Sequence, residues 1–139
     1  MNRGRKPKFK EPPLQPLRIP TGWLVEWNTF FDAQPPSDIQ DDLMWEFSQD
    51  MLLISNEWVG VVLELGWYPT LRRGSFGLVA LRKEKIRKLA GLAWDDPERE
   101  LITRSKEKVV QTLERWMEWY GSEKVQTARK SKPRRRKKN

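Results

Sequence analysis

Charge in this chain is divided by region, and the division limits how much of it can fold. Residues 1 to 20 hold six Lys/Arg and one acid, residues 124 to 139 hold nine Lys/Arg and no acid, and residues 21 to 123 hold twelve Lys/Arg against eighteen Asp/Glu. The formal net charge of +8 therefore describes the ends, while the stretch between them is acidic. Blocks of like charge repel, and segments poor in apolar residues cannot bury enough surface to offset chain entropy. The expected organisation is a basic, proline-rich disordered arm and linker at 1–20, a single acidic α+β domain at 21–123, and a basic disordered tail at 124–139. All eight tryptophans fall in the central stretch. Each can bury roughly 150 to 250 Å², which is ample material for one core.

The prolines Pro12, Pro13, Pro16 and Pro20 favour an extended linker. Lys10, Pro13 and Pro16 also match a basic-x-x-Pro-x-x-Pro spacing, but any basic proline-rich spacer does so, and a stiff spacer is the reading taken. From Gly22 the pattern turns globular. Trp23, Val25 and Trp27 alternate with Leu24, Glu26 and Asn28 as in a strand. After Pro35-Pro36, Ser37 can cap a short helix carrying Asp38, Ile39, Asp41, Asp42, Leu43, Trp45, Glu46 and Phe47. Met51 to Ile54, a turn at Asn56, and Val59 to Tyr68 read as a hairpin, and Phe76 to Leu81 returns as a further strand after Arg72-Arg73-Gly74-Ser75. Val61, Leu63, Leu65 and Trp67 share one face. Val62, Tyr68 and Val79 lie on the other, which suggests a sheet covered on both sides at its middle.

The basic patch Arg82, Lys83, Lys85, Arg87 and Lys88 reads as a short helix followed by a turn through Asp95-Asp96-Pro97. Leu101 to Arg104 reads as a last short strand. Ser105 then caps an amphipathic helix with Val109, Leu113, Trp116, Met117 and Tyr120 on one stripe, and Gly121 is placed to end it. The fold class expected is α+β: an antiparallel sheet of about four to five strands packed against a long C-terminal amphipathic helix, with a short helix after the first strand.

Without cysteine or histidine, thiolate metal sites, cysteine nucleophiles and the commonest general base are excluded. An enzyme would have to work with carboxylates, lysines, tyrosines or hydroxyls, and would need a cleft with converging Asp/Glu of shifted pKa. Asp41/Asp42 and Asp95/Asp96 are sequence neighbours whose side chains diverge, and Gly74 and Gly77 belong to a hairpin, not a phosphate loop. No catalytic residue, metal site or cofactor is expected. No apolar run approaches the roughly 20 residues of a membrane helix, and the N-terminus lacks a secretory apolar stretch, so a cytoplasmic protein is expected.

Leu17-Arg18-Ile19-Pro20-Thr21-Gly22-Trp23 with Val25, Asn28 and Phe31, then Leu65-Gly66-Trp67-Tyr68-Pro69, and finally Thr103-Arg104-Ser105 with Val109-Val110 and Leu113-Glu114-Arg115-Trp116 resemble a family of small bacterial proteins. Several of these look like immunity proteins of polymorphic toxin systems. The resemblance spans about residues 17 to 120 and rests on scaffold motifs. It implies a non-catalytic protein that blocks a partner by occlusion, a basic toxin domain being the kind of partner implied. The tails and the 82–88 patch depart from it.

Two binding surfaces are expected from the residues themselves. Asp38, Asp41, Asp42 and Glu46, joined by Asp50, recur at helical spacing and would offer a basic protein partner an electrostatic landing face, with Trp58 as an exposed aromatic anchor. The alternative is a nucleic-acid-associated protein in which Arg3, Arg5, Lys6, Lys8, Lys132, Arg134, Arg135, Arg136, Lys137 and Lys138 contact RNA or DNA phosphates without reading sequence. Trp23, Trp67 and Trp116 are assigned to the core, and Trp58, Trp94 and Trp119 to turns or exposed positions.

Overall fold

The computed structural model describes residues 12–35, 47, 50–68 and 74–130, the last seven as backbone. Five strands, β1 (Leu24–Asn28), β2 (Leu52–Asn56), β3 (Val61–Tyr68), β4 (Ser75–Arg82) and β5 (Arg99–Thr103), form one antiparallel sheet in the order β1-β2-β3-β4-β5. Helix α1 (Lys83–Leu89) and a 3₁₀ turn (Ala90–Asp95) connect β4 to β5, and helix α2 (Lys106–Lys130) closes the chain. This is the α+β fold that the residue pattern predicts. The short helix expected after the first strand, with Asp38, Asp41, Asp42 and Glu46, lies outside the described residues, as do Arg3, Arg5, Lys6, Lys8, Lys132, Arg134, Arg135, Arg136, Lys137 and Lys138.

The period-two pattern decides which side chains face α2. Ile54 pairs with Leu63 and Leu63 with Ala80, while Leu52 pairs with Leu65 and Leu65 with Leu78, so continuous apolar rows cross β2, β3 and β4 on one face. Val109, Leu113, Trp116, Met117 and Tyr120 of α2 close over these rows and are buried. At one end the core is aromatic: the Trp67 and Phe76 rings meet edge to face at 5.2 Å, and Phe47 tilts onto Trp67 at 5.1 Å. Gly74 is required beside them. Its φ is +99°, and an added Cβ would lie 2.5 Å from Cζ2 of Trp67.

Turns follow their sequence signals. Asn56 Oδ1 accepts from the backbone N–H of Trp58 at 2.9 Å, and Gly60 continues the turn at φ +66°. Ser105 caps α2 through Lys108 N–H at 3.0 Å.

Four sequence expectations are corrected. The proline-rich segment docks on the domain from residue 12: Gln15 N–H donates to Phe30 O and Asp32 N–H to Pro13 O, both at 2.8 Å, and Leu17 packs on the core. A segment whose backbone pairs with the chain beyond β1 is part of the domain, not a spacer. The last strand begins at Arg99, two residues earlier than expected. Trp27 does not share a buried face with Trp23, because a register shift between Val25 and Trp27 turns it outward, to 52 % exposure on an edge strand. Finally, Gly121 does not end α2, which runs nine residues further to Lys130. A mid-helix glycine costs only about 1 kcal/mol relative to alanine. Beyond it, the two carboxylate oxygens of Glu123 each accept from an Arg82 nitrogen at 2.9 Å, holding the helix to β4.

Candidate functional site

The sheet has a second face, turned away from α2, where the alternate residues of each strand project. In β3 these are Val62, Glu64, Gly66 and Tyr68; in β2, Leu53 and Ser55; in β4, Gly77, Val79 and Leu81; in β5, Glu100 and Ile102. The α1 and 3₁₀ segment covers one end, and Val62 and Leu81 are buried there. Toward Tyr68 no described element covers the face. The expectation of cover on both sides at the middle of the sheet thus holds at Val62, whereas Tyr68 and Val79 line a cleft.

Two glycines shape the open half. Gly66 and Gly77 are paired across β3 and β4, so the centre of the sheet carries no side chain there. The Tyr68 ring lies over Gly77, whose hypothetical Cβ would come within 2.8 Å of Tyr68 Cε2. The result is a cleft of about 420 Å³ floored by Gly77 and Val79 and walled by Tyr68, Trp94 and Ile102. Asp50, Glu64 and Glu100 open into it. It adjoins a hollow of about 340 Å³ through Asp50 and Glu64, where Trp27 and Leu53 form the wall. A third, of about 400 Å³, shares Trp94 and Leu53 and reaches Glu26, Ile86 and Arg87. Together they make a groove crossing all five strands.

Three separate elements bring the acids together. Glu64 is on the central strand, Glu100 is on β5, and Asp50 precedes β2 in a loop fixed by the Trp27 indole N–H, which donates to Asp50 O at 2.8 Å. Burial, reinforced by the charge of Asp50, pushes the Glu64 carboxyl up to about 7. Burial, then Glu64, Asp50 and Glu100, raise the Tyr68 phenol above its ordinary value, so one ring faces all three acids. Glu26, in the β1 bulge, accepts the Ser55 hydroxyl. Among the described residues no lysine or arginine is ion-paired with Glu26, Glu64 or Glu100, although Asp32, Glu57, Glu84, Asp96, Glu98 and Glu123 all have such a partner.

The opposite arrangement stands on the α2 side. Arg82 is bound by Glu98 at 2.8 Å and Glu123 at 2.9 Å, with its guanidinium 5.3 Å from the Tyr120 ring centre. Arg99 stacks 4.2 Å from the Trp119 ring centre, and the Tyr120 hydroxyl donates to Glu98 at 2.7 Å. Hydrogen bonds to Glu123 and Glu98 raise the Arg82 pKa, and burial together with the bond to Glu98 pushes the Tyr120 phenol up to about 12. Burial disfavours the Glu98 carboxylate, but hydrogen bonds from Arg82 and Tyr120 outweigh it and hold the group below its usual range.

Of the partner-site residues predicted from sequence, Trp58 is described. It is 72 % exposed on the β2–β3 turn, at the opposite end of β3 from Tyr68, roughly 23 Å along the strand, and lines none of the three hollows. Trp23, Trp67 and Trp116 are in the core as expected, and Trp94 and Trp119 are exposed. Glu26, Glu64, Tyr68 and Glu100 escaped the sequence reading. The available signal was Glu64 itself, a lone acid between Leu63 and Leu65 in an otherwise apolar strand. Among the described residues, no group of three or more Asp or Glu has the spacing to hold a metal ion, and no helix is long and apolar enough to cross a membrane. No family model matches the chain, and comparison with curated proteins and with solved structures finds no match.

Proposed function

We propose that this is a non-catalytic binding protein of the immunity-like kind, whose open sheet face occludes a positively charged protein partner. The observation that carries this reading is the groove on that face, where Glu64 and Glu100, neither ion-paired with a described lysine or arginine, stand between the aromatic walls of Trp27, Tyr68 and Trp94. Aromatic side chains supply contact area at low entropic cost, and the acids select a partner of opposite potential and speed its approach. The raised Glu64 carboxyl also meets one requirement of a general acid. Binding is favoured because the acids spread along the whole groove, from Glu100 on β5 to Glu26 on β1, a distribution suited to a surface and not to one reacting bond.

The test is co-expression with the product of the adjacent reading frame and isolation of a complex by size exclusion. Charge reversal of Glu100 to Lys is expected to weaken the complex by about tenfold or more, as truncation or reversal of an interfacial charge does. Charge reversal of Glu84, which lines none of the three hollows, is the control. A complex indifferent to Glu100→Lys, or no complex, overturns the reading.

The alternative, that the basic termini hold RNA or DNA phosphates, is supported by the sequence charge of residues 1–20 and 124–139. It is compatible with the first, since it uses other residues.

A further inference from the structure

The two margins of the sheet are built differently. At β1 the register is broken by a bulge between Val25 and Trp27, and residues 13–15 pair with the chain that follows the strand, Leu14 bridging to Phe31. β5, at the other margin, is regular: Arg99-Glu100-Leu101-Ile102-Thr103 contains no proline, glycine or lysine, and all five residues pair with β4 without a shift of register. Among the described residues no backbone hydrogen bond reaches β5 from its outer side. An edge strand turns every second N–H and C=O outward, and sheets blunt such edges with bulges, prolines, lysines or a covering element. β5 has none of these among the described residues.

We propose that the outer edge of β5 takes up an extended segment of the protein partner as an added strand. The proposal rests on the reading of this side of the molecule as a protein-binding surface and specifies how the partner is held. The outward main-chain groups fix the kind of occupant, because an extended backbone is what matches a row of alternating donors and acceptors. The side chains fix its pattern. Arg99, Leu101 and Thr103 share the α2 face, where Leu101 packs on the core and Trp119 stands exposed with Arg99 stacked 4.2 Å from its ring centre. Residues of the incoming strand on this face are apolar. Glu100 and Ile102 share the other face, and Glu100 has no ion pair with a described lysine or arginine. A basic residue there sets its charge against Glu100 and lays its methylene stem along Ile102 and Trp94, both exposed. The occupant is a segment that alternates basic and apolar residues, in keeping with a positively charged partner.

The test uses the full chain, nitrogen-15 labelled, titrated with acetyl-Lys-Val-Lys-Val-Lys-Val-Lys-amide and with a block-ordered peptide of the same composition and charge, acetyl-Lys-Lys-Val-Val-Val-Lys-Lys-amide. The alternating peptide is expected to shift the amide signals of Arg99 to Thr103, to slow the exchange of those that are fast in the free chain, and to bind about fivefold tighter than the block peptide. N-methylation of its valines removes the donors along one edge of the peptide, and N-methylation of its lysines removes those along the other. One of the two is expected to abolish binding and the other to leave it within about threefold. Equal binding of the alternating and block peptides, β5 amides that do not respond, or N-methylated peptides that behave alike overturns the proposal. So does slow exchange of every β5 amide in the peptide-free chain that relaxes on dilution, which assigns the edge to a second copy. The two readings fail separately. If Glu100→Lys disrupts the partner complex while the β5 amides ignore the alternating peptide and stay fast in that complex, strand addition is wrong and the occluding face stands. If the β5 amides respond to the peptide while Glu100→Lys leaves the partner complex intact, the strand edge stands and the occluding function is wrong.

Discussion

Glu64 shows how a single residue carries both the site and its cost. It sits at the middle of a central strand, flanked by Leu63 and Leu65, which point into the core. Its carboxyl is raised from 4.5 to about 7 in the fold, so between those values the folded state keeps a proton that the unfolded chain has released. Stability therefore falls as pH rises through this window. Glu64→Gln is expected to be more stable than the parent by about 1 to 2 kcal/mol at pH 8, after allowing for solvent screening, and equal to it at pH 4. Urea denaturation at the two pH values checks this, and a constant difference across pH contradicts it. Glu64 was legible as an anomaly in an apolar run. Its companions were not, because Asp50 and Glu100 are ordinary surface acids until the sheet places them beside it.

At the level of elements, the attachment of α2 depends on the cluster of Arg82, Glu98, Tyr120 and Glu123 as well as on its apolar stripe. The Glu98 carboxyl is depressed in the fold, so its contribution is present above its unfolded pKa and is lost as pH falls through the folded value. Arg82→Met is expected to cost about 1 to 2 kcal/mol at pH 7, given that these groups are about one-third exposed, and the deficit is expected to shrink on acidification. Thermal or urea unfolding at pH 7 and pH 3 measures it. A deficit that stays constant from neutral to acid pH would show that the loss is one of packing. The stripe of Val109, Leu113, Trp116, Met117 and Tyr120 and the Ser105 cap could be read from sequence, since both are local. The end of the helix could not. Gly121 is a stop signal by residue type, and a contact with Arg82, 41 residues away in sequence from Glu123, carries the helix past it.

For the whole molecule, the salient property is the sign of charge by region. The described domain turns an acidic groove outward, while the termini hold most of the basic residues. If the termini contact polyanions, replacing Lys132, Arg134, Arg135, Arg136, Lys137 and Lys138 by Gln in the full chain reduces the slope of log affinity against log salt for single-stranded RNA. The expected reduction is about four, from six lost phosphate contacts. Filter binding across a salt series checks it, and an unchanged slope places the contacts elsewhere. The groove acids are expected to leave this slope unaltered, which separates the two binding readings on one molecule.

Local chemistry alone, then, determined the strands, the turns at Asn56 and Gly74, the cap at Ser105, the core tryptophans and the acidic character of the central stretch. Each follows from residue type and spacing within a few positions. The tertiary structure decided which face of the sheet α2 covers and which stays open, and hence that Asp50, Glu64 and Glu100 converge around Tyr68. The alternation of a strand fixes which side chains share a face. Where that face ends up depends on pairing between strands far apart in the chain, and on the α1 and 3₁₀ segment folding over half of the sheet, neither of which is written in any short window of sequence.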